Sequence, residues 1–436
     1  MTTKQAVLLI HGIGEQKPMQ TLRGFVDAVW TRHTEIHHDY AGSGIWSKPY
    51  NLSSSFELRR LATPQNKAGI ETHFFELYWA HLMEGTSYGH LLSWARSLIL
   101  RHPSTVPAHL KGVYWLLVSM FALGLALAVY AAYSAASKTA TLSPWLSVAG
   151  TFVLVPLAAF ILLKVVGDAA RYLHVAPANI QSRHEIREAG LAVLKALHDP
   201  KRGYSRIIVV GHSLGAVIGY DVLTHAWVDF HRQYQKGKES RVALEALEAL
   251  ARGPRQAGDD VQGAQRLYFD ELAAGGCSWK VTDFVTLGAP LAHSAILLAK
   301  DAEELRRKQD DREFPRCLPA RESLKRDHKI VERFSFEVDR DDPNSHRLPH
   351  HAAVFGPTRW TNLYFPCRAI VRGDLIGGPL AGVMGDGIRD VPVSTQQRFG
   401  CFSHTLYWSQ PRSDSATPSH ITALRTALNL TDERGR

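Results

Sequence analysis

Cysteine is scarce here: Cys277, Cys317, Cys367 and Cys401 are the only four in 436 residues, and they lie far apart. Their spacing fits neither a disulfide framework nor a metal-ligand set, so structural zinc is not expected. The catalytic part therefore belongs in a reducing compartment, most simply the cytoplasm. Cofactor motifs are also missing. The chain contains no P-loop and no G-x-G-x-x-G, and its histidine-rich HTEIHHD stretch at 33–39 lacks the H-E-x-x-H spacing of a zinc hydrolase. No cofactor and no metal is expected. The apolar run Ala6–Ile10 is too short for the core of a signal peptide, and no cleavage site follows it.

Charge of one sign is less scarce. The formal net charge is +9, with 45% hydrophobic and 21% charged residues, which is the balance of a globular chain that favours acidic partners. The basic residues form no Arg/Lys-rich helix and no aromatic-interleaved strand, so nucleic acid is not an expected partner. An anionic membrane surface is.

Two long apolar runs support that partner. Val113–Tyr133 carries no charge, and Trp145–Leu163 repeats the pattern after a connection containing Lys138 and Pro144. Each is long enough to cross a hydrocarbon core of roughly 30 Å. Tyr114, Trp115, Tyr130, Tyr133 and Trp145 stand near their ends, where interfacial aromatics belong. Segment 111–166 thus reads as a transmembrane hairpin. Arg96, Arg101 and Lys111 precede it and Lys164 and Arg171 follow it, which predicts a multi-pass membrane protein with its catalytic domain on the cytoplasmic side. A pair of buried core helices is the alternative, although neither run has the polar stripe that such helices keep.

The rest, 1–110 and 167–436, reads as an α/β domain with a mostly parallel sheet. Ala6–Ile10 is a buried strand entering His11-Gly12-Ile13-Gly14, and residues 71–80 form another. Glu185–His198 is an amphipathic helix stopped at Asp199-Pro200. Arg206–Val210 is a strand, Ala216–Leu223 a helix, Trp279–Leu287 and Leu363–Val371 strands, and about Ser419 to Leu430 a helix. Polar stretches at 234–265 and 300–350 are insertions, either surface elaboration or a lid.

Gly211-His212-Ser213-Leu214-Gly215 is the central chemical signal. A nucleophilic serine must project from a sharp strand-to-helix turn, and this Gly-x-Ser-x-Gly succeeds a β-branched strand and opens a small-residue helix. These residues resemble the nucleophile elbow of the α/β-hydrolase superfamily, particularly its lipases and esterases. HGIG at 11–14 resembles the family's oxyanion loop, although it lacks the glycine run of HGGG-type members. TLGAP at 286–290 resembles the strand end that comes after the elbow in many lipases.

That resemblance implies an α/β-hydrolase fold and the chain order Ser213, Asp374, His404 for nucleophile, acid and base. It also implies an oxyanion hole from the backbone N–H groups of Leu214 and of Ile13 or Gly12. His351 is the rival base, and Asp386 and Asp390 are rival acids. His11 and His212 border the two motifs and are expected to brace their loops. The implied activity is hydrolysis of carboxylic esters of lipids by a membrane-anchored, lipase-like enzyme, with membrane lipid as anchor and substrate. Two alternatives remain. One is a thioesterase, acyl-protein or small-ester hydrolase, and the other is an inactive hydrolase-fold membrane scaffold.

Overall fold

The computed structural model describes residues 3–12, 17–38, 44–49, 58–83, 103, 111–137, 172, 177–234, 240–253, 259–326, 329–339, 342, 345–367, 373–394, 403–410 and 416–432. Along the chain the strands are β1 Thr3–Ile10, β2 Trp46–Pro49, β3 Arg59–Gln65, β4 Ile70–Leu77, β5 Tyr204–His212 and β6 Val281–Leu287. Two small hairpins come next, β7 Glu322–Arg326 with β8 Lys329–Arg333 and β9 Ser335–Glu337 with β10 Arg347–Pro349. Last come β11 Arg359–Tyr364 and β12 Arg389–Pro392. The longer helices are α1 Gln20–Val26, α2 Lys111–Ser137, α3 Pro177–His198, α4 Leu214–Trp227, α5 Val242–Ala251, α6 Val261–Ala274, α7 Ala302–Asp310 and α8 Ser419–Leu428.

Eight of these strands make one sheet in the order β12-β11-β6-β5-β1-β4-β3-β2. From β12 to β4 every pairing is parallel, and β3 and β2 add an antiparallel edge. The fold is therefore α/β with a mostly parallel sheet. Strands buried on both faces need continuous apolar runs, and Ala6, Val7, Leu8, Leu9 and Ile10 are all fully buried.

Helices cover both faces, as alternation along β4 shows. Phe74 meets Phe25 of α1, whereas a side chain on Gly190 of α3 would run into Leu77. Even positions therefore face α1 and odd positions face α3. The chain passes from β1 to β4 on one side and then returns across β1 to β5 on the other. At such a reversal a crevice opens beyond the carboxyl ends of the two central strands. His11-Gly12 succeeds β1 at that end, and Ser213 succeeds β5.

The two insertions are packed structure in their described parts. Glu248 of α5 is fully buried and accepts from Phe334 N at 3.1 Å and Ser335 Oγ at 2.7 Å, besides pairing with Arg347. The first insertion is thus tied to the second. Tyr220 Oη donates to Pro315 O at 2.7 Å, which ties the second to α4.

The hairpin expected over 111–166 is not found among the described residues. Its first half lies within the 27-residue helix α2, and its second, 145–163, lies outside the described residues. Over the described residues no helix is long and apolar enough to cross a membrane.

Candidate functional site

The site begins at the turn between β5 and α4. Ser213 takes φ 53° and ψ −126°, a left-handed conformation that is strained for any residue with a Cβ. Its N–H donates to Leu287 O at 2.9 Å, so the turn is fastened to the end of β6. The start of α4 has no room for a side chain at Gly215. A Cβ there would lie 2.1 Å from Ile10 O and 2.5 Å from His11 O, both backbone atoms that cannot step aside. α4 therefore starts directly against β1. Leu214 is its first residue, and N–H groups in a first helical turn lack an intrahelical acceptor. Gly12 abuts the turn from the β1 side, where a Cβ would stand 2.8 Å from Ser213 Cβ. Ile13 lies outside the described residues.

Asp374 and His404, 30 residues apart, form the second half of the site. His404 Nδ1 is 2.9 Å from Asp374 Oδ2 and 3.0 Å from Oδ1. A carboxylate can only accept, so Nδ1 carries the proton and Nε2 is left as the basic nitrogen. Asp374 is almost fully buried. Its Oδ1 accepts from Ile376 N at 2.8 Å, and its Oδ2 from Tyr407 Oη at 2.7 Å. Burial alone would push its pKa up, but the neighbouring His404, the Gly377 N–H and the Tyr407 hydroxyl outweigh that and hold it down at about 2.

The two halves meet at Gly288, where β6 ends. Gly288 has φ +59°, and a Cβ there would lie 2.7 Å from Asp374 Oδ2 and 3.0 Å from His404 Nδ1. Only glycine permits both the backbone and the approach. Since Leu287 also receives the Ser213 N–H, the serine and the His–Asp pair flank one strand end. Among the described residues no hydrogen bond joins the Ser213 hydroxyl to the His404 ring.

The rival residues stand elsewhere. His351 is exposed beside His350, with Arg312 and Arg232 near it. Asp386 is exposed. Asp390 accepts from Leu380 N and Ala381 N at 2.9 Å and from Asn362 Nδ2 at 2.7 Å, so it caps the short helix Ala381–Met384. His11 stacks on Trp79 with ring centroids 5.1 Å apart, and the Trp79 indole N–H donates to His11 O at 3.0 Å. Its pKa falls to about 4 through burial, so it stays neutral.

Two buried polar groups escape sequence reasoning, one at the site and one at the end of β4. Tyr407 is an ordinary aromatic until the fold brings its hydroxyl to Asp374. Glu76 of β4, at an even position facing α1, is 2% exposed. Its Oε2 accepts from Met19 N at 2.9 Å, while its Oε1 has no partner. Burial raises its pKa from 4.5 to about 7 against the opposing Met19 hydrogen bond. An acid that holds its proton more tightly when folded gives stability that is complete below the unfolded value and declines as pH rises toward 7. Glu76→Gln should therefore match the wild type near pH 4 and exceed it by about 3 kcal/mol at pH 8. Parallel melting curves across that range are the check, and identical pH dependence in the two proteins would contradict the burial account.

A separate buried charge cluster lies at the opposite strand ends. Arg206 bonds Asp283 at 2.6 Å, Thr282, Gln5 and the carbonyls of Leu428 and Asn429. Every donor nitrogen there is satisfied, so this cluster fixes the C-terminal segment. Among the described residues no group of His, Cys, Asp and Glu could hold a metal ion. Comparison with family models, curated proteins and solved structures returned no match for this chain.

Proposed function

We propose that this chain is a serine hydrolase with the α/β-hydrolase fold, cleaving carboxylic esters of lipids at a membrane surface. The observation that carries this reading is Ser213 at φ 53° between β5 and α4, beside the Asp374–His404 pair. The sheet supports it too, because the serine succeeds the central strand β5, the acid succeeds β11 and the base succeeds β12.

Ser213 Oγ attacks the ester carbonyl and gives its proton to His404 Nε2. Asp374 holds Nδ1–H and stabilises the imidazolium that forms. The N–H groups of Leu214 and of Gly12 or Ile13 receive the oxyanion, each worth roughly 3 kcal/mol of barrier. His404 then protonates the departing alcohol and leaves an acyl ester on Ser213. A water molecule, deprotonated by His404, reverses these steps and releases the acid.

The membrane part rests on α2. This helix exposes Leu123, Leu125 and Val129. Leucines left in water along one helix are unfavourable unless something apolar covers them, and lipid is the cover proposed.

The test is a fluorophosphonate probe applied to the full-length protein in membranes, with peptide mapping of the adduct. Labelling at Ser213, hydrolysis of long-chain esters in vesicles and retention in the pellet through carbonate washing are expected. An unlabelled Ser213 in folded protein would overturn the hydrolase reading. Release by salt or carbonate would overturn the anchor alone.

A further inference from the structure

His212 precedes the nucleophile, yet the proposed chemistry assigns it no step. It is 6% exposed, and its Nε2 lies 2.8 Å from the backbone oxygen of His404. A carbonyl oxygen cannot donate, so Nε2 carries the ring proton. Nδ1 is then an acceptor, and it is buried without a partner. It points at Gly12, where a Cβ would come within 2.9 Å of it. The same ring lies 5.0 Å from the His404 ring, 5.8 Å from Tyr407 and 4.9 Å from Trp408. One imidazole therefore touches the elbow through its own backbone, the β1 loop through Nδ1, and the base segment through Nε2 and its faces.

We infer that His212 is a positioning residue, whose Nε2–H donated to the His404 carbonyl sets the base against Ser213. The inference rests on the hydrolase reading above. Base and nucleophile come from segments 191 residues apart by number, 404 minus 213. The described fastenings of 403–408 at the site run to Asp374, Gly373, Phe365 and His212. Of these only His212 belongs to the elbow. Without it, the hydrogen bonds named here would hold the base from the acid's side of the site, with none of them reaching the elbow. Trp408 adds stiffness, since it also packs edge-on against Phe25 of α1, centroids 6.2 Å apart. The ring also suits the position because burial lowers its pKa to about 3, aided by the nearby His404. It remains neutral and leaves His404 the imidazole that gains a proton there.

The test compares His212→Phe, which keeps a ring and loses the donor, with His212→Gln, whose amide nitrogen reaches the same carbonyl. His212→Asn, whose amide ends short of it, takes the place of Phe if that variant does not fold. Fluorophosphonate labelling of the wild type at Ser213 is measured first, and its failure would remove the hydrolase reading itself. Given labelling, His212→Phe is expected to lower kcat by roughly 10²-fold, with KM and melting temperature nearly unchanged. His212→Gln should recover most of that loss. The downfield proton resonance of His404 Nδ1–H should persist in both variants, since the bond to Asp374 is intact. Full kcat in His212→Phe, or equal losses in Phe and Gln variants that melt together, would overturn the inference while leaving the triad standing.

Discussion

Ser213→Ala is expected to lower kcat by on the order of 10⁶ and to abolish fluorophosphonate labelling, with the fold intact. The size comes from the step removed. In the proposed reaction the hydroxyl oxygen is the atom that becomes acylated, so without it only oxyanion stabilisation and substrate binding would remain, and water would have to attack directly. The fold should survive for a local reason. The turn is held by Ser213 N donating to Leu287 O and Ala216 N donating to Ser213 O, both backbone bonds that alanine keeps. Alanine at φ 53° is about as strained as serine, so little strain energy changes either way. Hydrolysis of a short p-nitrophenyl ester, probe labelling and thermal melting together check this. A well-folded variant that keeps more than a few per cent of wild-type activity would remove Ser213 from the role of nucleophile.

The second large effect is expected at Asp374→Asn. Asparagine preserves shape but offers one oxygen and one NH₂. If the amide turns its NH₂ to His404 Nδ1, that nitrogen must lose its proton and Nε2 gains one. The base is then blocked, because Nε2–H cannot take the serine proton. The other orientation leaves the NH₂ among donors: Tyr407 Oη on the Oδ2 side, Ile376 N on the Oδ1 side. Loss of the negative charge also leaves the imidazolium without its counter-charge. A fall of about 10⁴ in kcat is expected, equivalent to about 5.5 kcal/mol of barrier. Stability should change with pH in the direction opposite to Glu76. Asp374 has a lowered folded pKa of about 2, so its contribution is present above the ordinary value of 3.8 and is lost as pH falls through 2. Asp374→Asn should therefore flatten the acid limb of the stability curve. Activity within tenfold of wild type would mean that the Asp374–His404 pair is not the working pair.

Much of the scaffold was legible because it is written locally. The run Ala6–Ile10 sits inside β1, and Arg206–Val210 inside β5, as β-branched and aliphatic runs between turns require. The helix read at Glu185–His198 starts earlier, at Pro177, but ends at His198 because Asp199-Pro200 stops it. Leu363–Val371 is shifted: β11 covers Arg359–Tyr364, and 368–371 lie outside the described residues. Trp360 and Leu363 are fully buried there, whereas polar Thr361 and Asn362 interrupt the apolar pattern that marks a buried strand in a sequence. Asn362 is buried because it donates to Gly378 O and to Asp390, a contact no spacing reveals.

The sequence by itself determined the strand-turn-helix around Ser213, since its glycines, its β-branched strand and its small-residue helix are all neighbours in the chain. Local sequence does not say which distant groups share a space. Asp374 follows β11 and faces His404, whereas Asp390 lies inside β12, where the parallel register sets it opposite Asn362 and its carboxylate caps a helix. Tyr407 and Glu76 acquire their hydrogen bonds only when separate segments converge. Burial is likewise a tertiary property, which is why the same carboxyl chemistry titrates at about 2 in Asp374 and at about 7 in Glu76. Asp374 is buried among donors, while Glu76 is buried with a single N–H, and desolvation prevails wherever partners do not offset it.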